Sequence, residues 1–479
     1  LELLALPLLF VLIAAFTPRN LAKYVGLIGA LATLLAVVLR VMSFNAAEVV
    51  SIFDPELTTS LKMTFKMGYD GMGLLMVLLT AFITPIILLS NLNKKESNDR
   101  GFNAMVLLME FGLIGVFTAL DGLMFYVFWE LTLIPIFLIA LWYGSEGKRP
   151  VLIKFFIYTF VGSLAMLLSL IALGSVAKDF AYENLIAVEL TAKVAYWVMG
   201  GFFLAFAIKI PLFPFHTWQP STYTVSPTPG TMLLSALMLK MALYGMIRWM
   251  IPLAPEALPD YKPIIIILGL IGIVYAAIIA IQQQDIKKII AFSSISHVGL
   301  IAAGIVLFDQ QSLSAAYVQM VNHSLVAVGL FLAAGILENR MKTRELNQMG
   351  GVAVLAPKFG FWFAVICFAS VSVPFTSGFI GEFLLLKGLF TEHWLIGLIA
   401  GTTLVFGAVY TLRAYQLSMF GAPKIERFHD LEWNEVLVFV LLTFAIVFIG
   451  LYPQIITDFV KPSLDRLPFA IQALPSQSA

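Results

Sequence analysis

Apolar residues run through this chain in long unbroken stretches rather than alternating with polar ones. Strict alternation marks a half-buried strand, whereas a helix needs about 20 consecutive apolar residues to cross a hydrocarbon core of about 30 Å. Only helices and closed barrels satisfy their own backbone polar groups in lipid, and continuous runs select helices. Fourteen spans are predicted, over 3–17, 24–43, 71–92, 103–120, 122–143, 152–177, 193–216, 227–251, 263–284, 286–308, 312–338, 357–390, 395–420 and 435–458. They are numbered 1 to 14 in chain order. Between them, NLNKKESNDR (91–100), YGSEGKRP (143–150), QQQDIKK (282–288) and LENRMKTRELNQ (337–348) are too polar to sit in lipid.

Loop charge orients the bundle. Loops after odd-numbered spans hold most of the loop cations, including Arg19, Lys23, Lys94, Lys95, Arg100, Lys148, Arg149, Lys287, Lys288, Arg340, Lys342 and Arg344. Loops after even-numbered spans hold mainly Lys62, Lys66, Lys178, Lys193 and Lys262. The positive-inside rule then places odd loops in the cytoplasm and both termini outside. The first apolar run is followed by TPRN and a second run, so it reads as a retained span rather than a cleaved signal.

Composition agrees with a single all-α polytopic membrane domain over 1–479. Charged residues make up 12% of the 479, about half the roughly 25% a soluble surface carries. A net charge of +1 offers no basic stripe for a nucleic acid. A single cysteine, Cys367, excludes a disulfide framework or a cysteine-ligated cluster on this chain, and five scattered histidines favour neither haem nor metal. No Walker A or Gly-x-Gly-x-x-Gly run supports nucleotide binding. No cofactor or metal site is therefore expected here.

An ionisable side chain at the bilayer centre costs about 2.5–3.5 kcal/mol on insertion scales, so each one retained there is a functional candidate. Seven candidates lie mid-span: Glu110 in span 4, Glu130 in span 5, Lys209 in span 7, Lys240 in span 8, His297 in span 10, His323 in span 11 and Glu382 in span 12. Taken singly, a carboxylate or lysine can be glue between helices, and a histidine a packed core residue. Together they put both signs and two imidazoles on seven helices, the make-up of a proton relay. Lys387 is an additional candidate five residues past Glu382. A regular helix turns it about 140° away. It is either a lysine snorkelling to the interface or one turned by local unwinding toward Glu382.

Two spans carry backbone breaks beside these charges. Span 7 reads AFAIKIPLFPFHTW (205–218), with Lys209 just before Pro211, and Pro214 one turn on. Proline removes a donor and clashes with the preceding turn. Span 12 reads SVSVPFTSGFIGEFLLLK (370–387), where Pro374, Ser377, Gly378 and Gly381 precede Glu382. Interrupted helices at matching places in two halves point to an inverted-repeat transporter. Spans 4–8 and 9–13, about 103–251 and 263–420, are the predicted five-helix inverted repeats, with spans 1–3 and 14 peripheral. The match is imperfect, since Lys209 precedes its break and Glu382 follows its own. Two ordinary proline kinks are the plain alternative.

Several stretches now resemble one family. FYVFWELTLIPIFLIALWYG (125–144), AFAIKIPLFPFHTW (205–218), SPTPGTMLLSALMLKMALYGMIRW (226–249), QQDIKKIIAFSSISHVGL (283–300), VNHSLVAVGLFL (321–332) and SGFIGEF (377–383) are similar to the antiporter-like membrane subunits of respiratory complex I. The large subunits of Mrp-type cation/proton antiporters are related to these. The resemblance covers spans 3 to 13. Complex I holds three such subunits. The distal and quinone-proximal types, like the Mrp subunits, usually carry lysine at the broken span-12 site. The middle type carries glutamate, as Glu382 does here, and the long lateral C-terminal helix of the distal type has no counterpart in this sequence.

The resemblance implies that Glu130 and Lys209 form an input pair, that Lys240 is the central connecting lysine, that His297 and His323 extend the polar axis, and that Glu382 is the output site. It implies a subunit of an NADH:quinone oxidoreductase, with NADH, FMN, iron–sulfur clusters and quinone on partner subunits that supply the driving energy. Other complex I membrane subunits, above all neighbouring antiporter-like ones, and lipids are the implied partners. Two departures stand out. The loop after span 7 reads TWQPSTYTVSPTPG, with Ser221, Thr222 and Thr224 where acidic residues are usual, and Lys387 stands where an apolar residue is expected. The alternatives are a subunit of an Mrp-type Na+/H+ antiporter, a complex I-like membrane-bound hydrogenase, or a purely structural spacer. Full-length helices and conventional loops favour a bacterial inner membrane over the mitochondrial one.

Overall fold

A computed structural model describes residues 2–45, 48–54 and 62–467. Every predicted span corresponds to a helix or a broken helix. Among the described residues twelve helices are long and apolar enough to cross a membrane. Two shorter apolar helices, Glu2–Phe16 and Pro357–Ser370, stand at span 1 and at the first half of span 12, whose second half is Ser377–Glu392. Span 8 (Thr228–Leu253) and span 11 (Gln310–Met341) are 100% buried over their most apolar windows, whereas span 2 (Arg19–Ser43) is 28% and span 14 (Trp433–Leu451) 33% buried. A helix apolar all round belongs in the interior. Spans 8 and 11 form the centre, and the others shield them from lipid.

Five aspartates start helices. Asp70, Asp99, Asp121, Asp285 and Asp309 cap spans 3, 4, 5, 10 and 11, each accepting from a backbone N–H of the first turn. A carboxylate there satisfies an orphan donor and suits the positive end of the helix dipole. The loops gather on two opposite faces as alternation requires. On the odd-loop face Arg344 meets Asp285 at 3.1 Å and the Thr224 carbonyl at 2.8 Å. On the even-loop face Lys62 donates to the Gly174 and Ala177 carbonyls at 3.0 Å each, and Lys262 meets Glu392 at 2.7 Å.

Two helix ends and one added element stand out against the sequence expectation. Span 7 stops as a helix at Lys209 rather than continuing to 216, because Pro211 and Pro214 cannot extend it. Span 14 ends at Leu451 instead of 458; Pro453 follows, and a separate helix, Gln454–Leu464, packs back on span 3, where Ser463 Oγ accepts from Gly71 N at 2.8 Å. A short antiparallel pair, Val50–Phe53 with Met67–Tyr69, lies on the even-loop face and carried no sequence signal. The tail beyond 467 lies outside the described residues.

Candidate functional site

Lys240 sits between two wide turns of span 8. Leu234–Met238 and Met246–Met250 are π-helical, and Leu239–Gly245 between them is α-helical. Such bulges re-aim side chains and concentrate at functional sites. Lys240 Nζ donates to the Ser235 carbonyl at 2.8 Å and lies 2.8 Å from His323 Nδ1 of span 11. Both residues are buried, Lys240 completely. Two cations this close would repel strongly, so the geometry suits a hydrogen bond between the ammonium and a neutral ring better than two charges.

The line continues on the far side of His323. Its ring centroid is 6.2 Å from that of His297 on span 10, Ile286–Ile305. Beside both rings is a cavity of about 20 Å³, room for a single water. His297 Nδ1 then lies 2.8 Å from Glu382 Oε1. That contact is within ion-pair distance but outside hydrogen-bond angles. The same carboxylate oxygen accepts from Gln319 Nε2 at 2.9 Å, and Ser377 Oγ meets Asn322 Oδ1 at 2.8 Å. Four helices thus bring Lys240, His323, His297 and Glu382 into one buried line.

The two breaks hold the charges at helix ends. Lys209 is the last residue of Ala192–Lys209. Beyond it the chain turns through Pro211 and Pro214, and Trp218 Nε1 donates to the freed Ile208 carbonyl at 2.8 Å. Glu382 lies in the second turn of Ser377–Glu392, after the break at Pro374. A helix C-terminus favours a cation and an N-terminus an anion, most strongly in the terminal turn. The sign of each charge matches the half-helix end it occupies, which gives a physical reason for their opposite placement about the breaks. Gly378 and Gly381 face span 11. A Cβ at Gly381 would stand 2.6 Å from Gln319 Oε1, so glycine is what lets Gln319 reach Glu382.

Other candidates are placed apart. No carboxylate lies within the 4.0 Å salt-bridge distance of Lys209 among the described residues. Its ammonium stands 5.3 Å from the Trp129 ring centre, a cation–π contact. Glu130, next along the chain, acts on Lys209 electrostatically without touching it, and its Oε1 is buried without a hydrogen-bond partner. Glu110 is completely buried in span 4, Arg100–Thr118, with neither carboxylate oxygen hydrogen-bonded. Lys387 is exposed and donates to Gln311 Oε1 at 3.3 Å, away from Glu382.

Sequence reasoning missed Gln319 and Asn322. Amides are uncharged and stand outside a search for ionisable groups, but with His323 they sit at i, i+3 and i+4 on one helix face, and that spacing was the available signal. A larger cavity of about 380 Å³ opens on the odd-loop face, lined by Lys94, Thr224, Thr228, Lys287 and Glu338 among others. Lys287 meets Glu338 there at 2.7 Å. Thr228 opens span 8, twelve residues before Lys240, about 18 Å along a helix. Among the described residues no three His, Cys, Asp or Glu side chains group as a metal site.

The sequence profile of the NADH:quinone oxidoreductase/Mrp antiporter transmembrane family matches residues 119–407, which include all of these candidates except Glu110. The chain is 34% identical to the NADH-quinone oxidoreductase subunit M of Rickettsia typhi over 462 residues, 94% of this chain and 93% of that one. Its fold is similar to a chain of respiratory complex I from Thermus thermophilus with bound NADH, at a TM-score of 0.90 and 29% identity, covering 97% of this chain and 98% of that one. A chain of the Mrp complex from Dietzia sp. is similar at a TM-score of 0.89 and 19% identity over 98% of both, which speaks for the shared fold alone.

Proposed function

The chain belongs to the NADH:quinone oxidoreductase/Mrp antiporter transmembrane family, and on that premise we propose that it is a subunit of the M, or chain 4, type that moves protons along Lys240, His323, His297 and Glu382. The observation that carries this reading is the pair of 2.8 Å contacts, Lys240 to His323 and His297 to Glu382, at the two ends of one buried line. Protons enter from the odd-loop face, by way of the large cavity there, and reach Lys240. The Lys240–His323 pair passes one proton at a time. Water in the small cavity bridges the two imidazoles, and Glu382 takes the proton from His297 before releasing it toward the opposite face. Glu130 and Lys209 act as the input pair, open in this structure and closing when a proton moves on. Residues 103–251 and 263–420 form the inverted repeats, and the opposite placement of Lys209 and Glu382 about their breaks is what favours that division.

The magnitudes are adequate. Moving a charge through 100 mV takes about 2.3 kcal/mol. Two opposite charges 4 Å apart attract by roughly 4 kcal/mol at an effective dielectric of about 20. Making and breaking one buried pair therefore shifts a proton's energy by as much as the membrane potential opposes it. The energy itself arises in partner subunits. NADH, FMN, iron–sulfur clusters and quinone belong to those partners in this reading, and this chain supplies only protonatable side chains and the dry channel around them. Neighbouring antiporter-like subunits and lipid cover its sides. The odd-loop face is the cytoplasmic face of a bacterial inner membrane, with both termini outside.

The test is Lys240→Met in the assembled complex, in inside-out membrane vesicles. Protons moved per NADH oxidised are expected to fall. An unchanged yield overturns the reading.

A further inference from the structure

A second buried cluster lies on the same helix as Lys240, nearer the even-loop face. Arg248, eight residues on, donates through Nη1 to Asp70 Oδ2 at 2.8 Å, and both residues are buried. The guanidinium carbon lies 4.3 Å from the Tyr182 ring centre, so Arg248 is closed between an acid and an aromatic face. Midway, Tyr244 donates to the Phe117 carbonyl at 3.3 Å. Polar groups therefore recur at each turn between Lys240 and Arg248, the pattern a proton lane needs.

Asp70 also ends a strap of chain drawn over this face. Lys62 donates to the Gly174 and Ala177 carbonyls, Thr64 donates through N and Oγ1 to Asp121 Oδ2 at 2.8 Å each, and Lys66 pairs with Glu183. Asp70 then caps span 3, Gly71–Ser90, through Gly73 N at 3.0 Å. The strap is held at four points without Arg248. A buried ion pair is a poor source of stability, because desolvation offsets the attraction. Anchoring alone does not account for it.

We propose that Asp70 and Arg248 form the outward seal of the Lys240 helix, with Arg248 preventing Asp70 from acting as a proton acceptor between Lys240 and the outer face. A lone carboxylate at that point would pick up a proton from Lys240's lane and hand it to the solvent, or run the reverse. A guanidinium does not give up its proton, and its fixed charge repels an incoming cation, as arginines do in proton-excluding pores. The proposal rests on the reading of Lys240 as a proton carrier.

The experiment uses the assembled oxidoreductase in liposomes under an imposed pH gradient, without NADH, and reads the passive proton leak. Arg248→Gln frees the carboxylate, and its leak should rise several-fold above wild type. Asp70→Asn/Arg248→Gln removes the acceptor, and its leak should return to the wild-type level. A pair that is only a brace predicts the reverse order, with the double variant at least as leaky. A tight Arg248→Gln membrane, or a double variant as leaky as the single, overturns the proposal. If Arg248→Gln does not assemble, Arg248→Lys replaces it: an ammonium keeps the pair but can release its proton, so a smaller leak is expected and a tight membrane overturns the seal. Failure of the translocation reading shows separately, as an unchanged proton yield per NADH in Lys240→Met.

Discussion

Glu382 Oε1 lies 2.8 Å from His297 Nδ1 and 2.9 Å from Gln319 Nε2, so one carboxylate oxygen ties spans 10, 11 and 12 together at the break of span 12. The charge of Glu382 faces His297, while its hydrogen bond comes from Gln319. Glu382→Gln keeps an acceptor for Gln319 and removes only the charge and the exchangeable proton. The complex should assemble, and protons moved per NADH should fall strongly in vesicles. A normal yield would separate Glu382 from transport.

Lys240 Nζ lies 2.8 Å from His323 Nδ1, and in the proposed relay the two act on one shared proton. Residues that work as a unit give non-additive losses. Lys240→Met, His323→Gln and the double variant should therefore lower the rate of proton uptake by similar factors. A double variant whose loss is the product of the singles would show two independent sites.

Gly381→Ala tests packing rather than charge. The added methyl would meet Gln319 Oε1 at 2.6 Å and its Cα at 3.0 Å, so side-chain rotation alone does not relieve the contact. Overpacking of this kind costs about 1–3 kcal/mol. A lower thermal midpoint of the complex is expected, together with weaker pumping as Gln319 leaves Glu382. An unchanged midpoint would mean that spans 11 and 12 part easily.

Glu130 and Lys209 are not in contact here, and Glu130 Oε1 has no hydrogen-bond partner. Glu130→Gln should lower pumping, as removal of an input acid requires, while leaving the thermal midpoint unchanged or raised, since Glu130 is half-buried and its Oε1 has no partner to lose. A drop in midpoint with normal pumping would make Glu130 a structural residue.

Lys387 is the contrast. It is exposed and touches Gln311 at 3.3 Å. Lys387→Met should change stability by no more than about 0.5 kcal/mol, as for ordinary surface positions, and leave the proton yield at the wild-type value. A changed yield would return Lys387 to the transport path.

The sequence by itself determined the membrane class, the number of spans and the two faces. Lipid imposes a length and a polarity on every crossing segment, and those demands are written locally in the chain. It also singled out Lys240, His297, His323 and Glu382, because a charge or an imidazole in a span is costly enough to be noticed one residue at a time. Gln319 and Asn322 escaped because an uncharged amide is not an ionisable group and its cost vanishes once it finds a hydrogen-bond partner, and Arg248 escaped because it lies three residues from the predicted end of span 8, where a cation ordinarily snorkels. Only the tertiary structure decided which groups meet. Arg248 turns inward to Asp70, 178 residues away along the chain, while Lys209 stops over Trp129 short of Glu130. Those outcomes depend on where helices distant in sequence cross and on which half-helix end each charge occupies. Hydropathy, being a property of single segments, contains neither.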